Sequence, residues 1–327
     1  LRSVRALVVV YTIWMVWRVA TSAMVDFPVS RILEILREFI FIHSAFWVAL
    51  ILSGKTGWKR SMVGLLIFAT FVVALAGIAE AVEQRNRFVA FASGDEDGQL
   101  GAVIAGIAEE KLRMGKFRVQ SVFGHPILFG QFLGAVIPLL LMALMLKKGF
   151  FWRSAICVVG VLCLIGIWKS GSRSGVLASV VSVSIFAMLV WWRVLKYSYT
   201  FRGLAIAVVP LFILGAAAGV LTVQELVQGK TQNEASSTST RLVQLNAALN
   251  AIGDSPITGF GQNSALGLAG VSGANRLLTM DIHYVSLLLD SGFVGISLFL
   301  LLAVLLVWRL TRIGVSVKGS TGLFACA

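Results

Sequence analysis

The stretch IWKSGSRSGVLAS, residues 167–179, places two cations, Lys169 and Arg173, between two long apolar runs. Three hydroxyls (Ser170, Ser172, Ser174) and two small glycines (Gly171, Gly175) surround them. That combination suits close approach by phosphate oxygens, with bidentate contact from the guanidinium and point-charge support from the ammonium. The plainer reading of Arg173 is a cation at a span end, snorkelling into headgroups. Arg118 and His125, in FRVQSVFGHP, raise the same pair of readings: substrate contact, or an interfacial cation and a helix cap.

A second candidate anion site lies in STSTRLVQLNAALNAIGDSP. Thr240 is the expected N-cap of an amphipathic helix in which Leu242, Leu245, Leu249 and Ile252 recur at helical spacing, and Gly253 with Pro256 ends the run. Arg241 then falls in the first turn. Its charge and the positive end of the helix dipole together would hold a phosphate. The third candidate group is in TMDIHYVSLLLDSG, where Asp281 and His283 are the groups that can accept a proton from an attacking hydroxyl. Asp290 stands nine positions beyond Asp281, on the opposite side if the stretch is helical, so the two carboxylates do not read as a pair.

The elements that must position these residues are membrane helices. Of 327 residues, 58% are hydrophobic and 13% charged, and the apolar residues fall in long blocks. A hydrocarbon core of about 30 Å needs roughly 20 helical residues, which gives about eight spans. They fall near 6–24, 39–53, 61–79, 126–146, 154–168, 174–192, 203–223 and 293–308. The blocks lack the alternation of a lipid-facing barrel, so the fold class is all-α: one polytopic bundle over 1–327, with outer loops at 80–125 and 224–292. Leu1 rather than Met opens the chain, so a fragment of a longer protein is among the readings.

The net charge of +13 would suggest nucleic acid in a soluble protein, but here the cations sort by loop. Lys55, Lys59 and Arg60, then Lys147, Lys148 and Arg153, then Arg193, Lys196 and Arg202, then Arg309, Arg312 and Lys318 follow alternate spans with no acid among them. By the positive-inside rule those loops are cytoplasmic, and Arg173, Arg241 and all 15 acids lie outside. No nucleic-acid partner is expected. Cys157 and Cys163 sit within a span, and the three cysteines suggest neither a disulfide framework nor a metal site. The glycine-rich DSPITGFGQNSALGLAGVSG lacks the preceding strand and the Lys-Ser/Thr ending of a phosphate loop.

Together RVQSVFGHPILFGQFLG, SGSRSGVLA, TRLVQLNAALNAIGDSPITGFG and DIHYVSLLLDSGFVG resemble the O-antigen ligase and polymerase family of bacterial inner-membrane glycosyltransferases. The resemblance runs from about Arg118 to Arg309. It implies a multi-pass protein whose active site faces the periplasm. There it would transfer a saccharide from undecaprenyl pyrophosphate to a hydroxyl of a glycan, lipid or protein, with neither cofactor nor metal. Arg173 and Arg241 match the family's arginines and would hold the leaving pyrophosphate, with Lys169, Ser172, Arg118 and His125 as further substrate contacts. Family ligases carry a His eleven positions before the glycine that matches Gly292. Here that position is Asp281, and His283 stands two places later, so the base is one of the two and both ligase and polymerase stay open. The competing class is a multispanning transporter. Against ion coupling, the spans at 61–79, 126–146, 154–168, 174–192 and 203–223 hold no Asp, Glu, Lys or Arg.

Overall fold

The computed structural model describes residues 2–25, 28–44, 47, 58–86, 112–113, 116–123, 125–146, 149–197, 232–272, 278–280 and 282–316. Among these, six helices are long and apolar enough to cross a membrane. They correspond to six of the expected spans: Pro126–Leu146 matches end to end, Arg5–Ala23 is shifted by one residue at equal length, Ser61–Glu83, Phe150–Ser170 and Arg173–Lys196 run a few residues longer, and His283–Ser316 runs well beyond 293–308. The expected span at 203–223 and most of that at 39–53 lie outside the described residues. The protein is a polytopic helical bundle, and the two antiparallel pairs of two-residue strands are minor additions. It divides into two compact units, one of Leu1–Lys55 with Val227–Arg309, the other of Thr56–Leu226 with Leu310–Ala327.

The second unit contains α3 (Trp58–Glu83), the hairpin β1 (Leu112–Arg113) and β2 (Lys116–Phe117), α4 (Pro126–Leu146), α5 (Phe150–Ser170) and α6 (Arg173–Tyr197). Its core gathers Phe129, Leu133, Val136 and Leu140 of α4 with Ile156, Val159, Cys163 and Ile167 of α5 and Ala74 of α3. Between lipid-soluble helices, apolar side chains gain little by facing each other rather than lipid; close backbone approach and dispersion hold them together. The seam between α4 and α6 shows this. Gly130 and Gly134 meet Gly175 and Ser179, four-residue spacings on both helices: a Cβ on Gly175 would lie 2.9 Å from the Gly130 backbone, and one on Gly134 2.7 Å from Ser179 Oγ. Ser182 Oγ also donates to the Gly134 carbonyl over 3.0 Å.

The first unit contains α1 (Arg2–Ala23), α2 (Pro28–Glu38) continuing into a π-helical turn (Phe39–His43), α7 (Gln232–Ile252), the short α8 (Ala265–Ala269), the pair β3 (Val271–Ser272) and β4 (Leu278–Thr279), and α9 (His283–Ser316) as far as Arg309. α9 is longer than the expected span and is broken at Gly292, whose backbone is left-handed (φ 67°). The segment 256–261 lies against this break. Phe260 N donates to Leu289 O over 2.8 Å, Gly261 N to Asp290 O over 3.0 Å, and Phe293 N to Pro256 O over 2.8 Å. Backbone groups freed from the helix ladder are thus paired again, as burial demands. A Cβ at Gly292 would fall 2.1 Å from Ile257 O, so only glycine fits.

Candidate functional site

In the second unit the site is built around the turn between α5 and α6. Gly171 leaves α5 in the left-handed conformation (φ 57°), the usual helix-ending geometry. Ser172 then caps α6: its Oγ accepts from Gly175 N over 3.2 Å, and its carbonyl accepts from Val176 N over 3.2 Å. Arg173 is therefore the first residue of a 25-residue helix and half-buried. The pairing of guanidinium with a helix N-terminus that the sequence suggested for Arg241 is realised here instead. Lys169, exposed in the last turn of α5, has its charge near the negative end of that helix.

The same turn receives Arg118 from 52 positions away. Its Nε donates to Ser170 O over 2.9 Å, and the adjacent Val119 N donates to Lys169 O over 3.2 Å. Carbonyls at a helix C-terminus have no partner in their own helix, and Arg118 supplies a charged one. Three of the expected cations, Arg118, Lys169 and Arg173, are thereby gathered on one turn.

The hydroxyls and glycines have internal duties. Ser170 Oγ donates to Ile167 O over 2.7 Å and accepts from Ser172 N over 3.2 Å, while Ser172 Oγ also lies 2.9 Å from Ser174 Oγ. Gly175 lies buried against Gly130 and is not open to a phosphate. His125 caps α4: its Nδ1 accepts from Ile127 N over 3.1 Å, and its carbonyl accepts from Leu128 N and Phe129 N.

A residue that sequence reasoning passed over fixes the segment carrying Arg118. α3 runs past the expected loop boundary at residue 80, so Glu80 is helical and buried. Its Oε2 accepts from Ser121 N over 2.6 Å and Gln120 N over 3.3 Å, and Asn86 Nδ2 donates to Ser121 O over 2.9 Å. The signal was an acid at the end of an apolar run, where a buried carboxylate must find donors.

In the first unit two expectations are corrected. α7 begins at Gln232, so Thr240 is not its N-cap and Arg241 lies mid-helix, exposed, away from the end of the dipole. The polar run NEASSTSTR, residues 233–241, is helical. The inward face of α7 also differs: Gln244, Ala248 and Ile252 are buried, whereas Leu242 and Leu249 are more than half exposed. Ala248 and Ile252 pack in one apolar cluster with Ala265, Ala269 and Leu289. The helix does end at Ile252, as Gly253 and Pro256 required. His283 opens α9 and is exposed, with its ring 6.1 Å from that of Tyr284. Asp281 lies outside the described residues.

This unit also holds a polar network that sequence reasoning missed. Arg18, buried in α1, donates through Nη2 to Glu38 Oε2 and to Gln262 Oε1, each over 2.6 Å, and lies 4.9 Å from the centre of the Trp14 ring. Gln262 Nε2 donates to Glu38 Oε1 over 3.0 Å, and Gln262 N to Ser22 Oγ over 3.0 Å. Arg31 Nη1 donates to Phe260 O, Gln262 O and Ser264 Oγ. Asp290 Oδ1 accepts from Ser264 N and Ala265 N, both over 3.0 Å. The available signal was Arg18 itself, an ionisable group inside an apolar span. Among the described residues, no cluster of three or more His, Cys, Asp or Glu side chains is assembled that could hold a metal ion.

No curated protein and no solved structure matches the chain. A family model does: residues 158–300 match the model described as O-Antigen ligase. The match takes in the turn bearing Lys169 and Arg173, all of α7 with Arg241, the segment packed on the α9 break, and the start of α9 with His283. Over residues 158–300 the chain is similar to the O-antigen ligase family of membrane proteins.

Proposed function

We propose that this protein transfers a saccharide from undecaprenyl pyrophosphate to an acceptor hydroxyl at the periplasmic face of the bacterial inner membrane. The observation that carries the reading is Arg173 as first residue of α6, on a turn shared with Arg118 and Lys169. In the reaction the acceptor oxygen forms a bond to the anomeric carbon as the bond from that carbon to the pyrophosphate oxygen breaks. The bonding pair leaves with the pyrophosphate, and the hydroxyl proton passes to a base. Negative charge grows on the leaving oxygens, and a guanidinium fixed at a helix N-terminus is oriented to meet it before the reaction begins.

Arg241 enters as the second pyrophosphate contact on the family's account, since its mid-helix position supplies no dipole. Asp281 and His283 are the two candidates for the base, and Lys169 is a supporting cation. Arg118 serves this reading chiefly by holding the turn, and Ser172 and His125 by capping the helices that frame it. The sorting of cations by loop supports the periplasmic side.

The test is to supply a lipid-pyrophosphate oligosaccharide and an acceptor to the reconstituted protein and separate products by size. A ladder identifies a polymerase and a single addition a ligase; no transfer by folded protein removes the proposal.

A further inference from the structure

The circumference of α2 divides into three faces. Val29, Leu33, Leu36 and Ile40 recur at spacings of four, three and four, which on a helix places them in one stripe about 60° wide. All four are exposed, by 49% to 70%. The opposite face is committed to protein. Ile35 is buried, Arg31 Nη1 donates to Phe260 O over 3.1 Å and Gln262 O over 2.8 Å, and Glu38 accepts from Arg18 Nη2 over 2.6 Å and Gln262 Nε2 over 3.0 Å. Between the two lies a charged row, Glu34 and Arg37, ion-paired over 3.2 Å with the arginine side chain 68% exposed.

A helix surrounded by water gains nothing from exposing such a stripe, and a helix inside hydrocarbon cannot solvate the ion pair. A membrane surface offers acyl chains and water side by side. Both ends of α2 place it at that level. α1, long and apolar enough to span, ends at Ala23, so the start of α2 at Pro28 lies no more than about 18 Å of extended chain from it. At its other end α2 runs on through the π-helical turn Phe39–His43, within the apolar run FIFIHSAFWVALIL. Ile40 belongs to both, so the stripe continues the lipid-facing surface of that run. An upright α2 would carry Val29 about 16 Å above Ile40, past a headgroup layer of roughly 5–8 Å. Lying over, it keeps the whole stripe on lipid, and a π-helical turn is a place where helices bend.

We propose that α2 lies in the membrane interface, with Val29, Leu33, Leu36 and Ile40 seated on lipid acyl chains and Glu34 and Arg37 in water. The lipid seat and the bonds to residues 260–262 are on opposite faces of one helix, so α2 sets the depth of that loop relative to the bilayer. This holds whatever reaction the protein performs.

The test is a depth measurement on single spin-labelled cysteines in phosphatidylcholine nanodiscs, made in the full chain carrying Cys157→Ser, Cys163→Ala and Cys326→Ser. Leu33→Cys and Leu36→Cys sample the stripe, Arg37→Cys the charged row, and Val304→Cys, 63% exposed in α9, the hydrocarbon core. Val29→Cys replaces either stripe position if its label lowers the thermal midpoint. At 33 and 36 the ratio of oxygen to nickel-chelate collisions is expected to be at least about tenfold that at 37, with the labels about 5–10 Å into the acyl boundary.

Nickel collisions at 33 and 36 as frequent as at 37 overturn the proposal, because the stripe then faces water. Protection from both reagents overturns it too, in favour of a cover of protein, whether another segment of this chain or a second copy. A depth equal to that at 304 overturns it by placing α2 in the hydrocarbon core.

Discussion

The side chain of Arg118 ends on the main chain of Ser170: Nε to carbonyl oxygen, 2.9 Å, across 52 positions of sequence. Through that bond the segment before α4 closes the end of α5, one residue before the left-handed Gly171 and three before Arg173. Removing the guanidinium leaves a partly buried helix-end carbonyl without its donor. Arg118→Ala should cost about 1–2 kcal/mol, read as a lower thermal midpoint in detergent. Transfer should fall as well, because the turn that aims Arg173 loosens.

Arg173 is expected to act on charge that develops during the reaction. Arg173→Ala should reduce turnover on the order of 100-fold or more at equal membrane abundance. Arg173→Lys keeps the charge but loses the planar fork, and should recover only part of the rate. Turnover within a few-fold of the parent for Arg173→Ala would remove the residue from the chemistry.

The α4–α6 seam admits no side chain at Gly175, where a Cβ would sit 2.9 Å from backbone atoms that cannot rotate away. Gly175→Val should therefore destabilise by about 3 kcal/mol, the upper end for overpacking. Gly64 in α3 is the control: a Cβ there meets nothing within 4 Å. Gly64→Ala should be neutral or stabilising by up to about 1 kcal/mol. Thermal unfolding of both variants, measured side by side, checks the contrast.

Arg18 and Glu38 form an ion pair in which the arginine side chain is 6% exposed and the glutamate 30%. Removing one partner leaves a poorly solvated charge. Arg18→Met and Glu38→Leu should each cost roughly 2–4 kcal/mol, below the fully buried range because Glu38 retains some solvent. The double variant should cost less than the sum. A double-mutant cycle on unfolding free energy measures the difference, and strict additivity would show the pair to be uncoupled.

Asp290 ties the segment 260–265 to the break in α9. Asp290→Leu removes the acceptor for two backbone donors, so amide hydrogen exchange at Ser264 and Ala265 should accelerate while exchange in α4 is unchanged. Gly292→Ala is expected to be harsher. It forces a side chain into a left-handed backbone and onto Ile257 O, at a cost of about 3 kcal/mol or more, seen as loss of folded protein.

Much of the architecture could be read from the chain alone, because a membrane imposes a length on every apolar run. Pro126–Leu146 emerges from its sequence end to end, and the facing ends of α5 and α6 fall within two residues of the expected 168 and 174. Lys169 and Arg173 were found for the same reason: charges between two spans have to be accounted for. Local chemistry also located the end of α7 at Ile252, through Gly253 and Pro256.

What only the tertiary structure decided is which distant groups meet. Thr240 looked like a cap, but capping propensity is a weak local preference, and α7 begins at Gln232 and leaves Arg241 in its middle. The expected leucine face of α7 was set aside in favour of one that buries Gln244 and Ala248, with Ala248 packed near Ala265, Ala269 and Leu289. Arg118 on Ser170, Glu80 on Ser121, and Arg18 between Glu38 and Gln262 join residues 20 to 244 positions apart. Sequence spacing carries no information about such pairs. Each follows from the requirement that a buried polar group find a partner, and only the folded chain determines which partner is within reach.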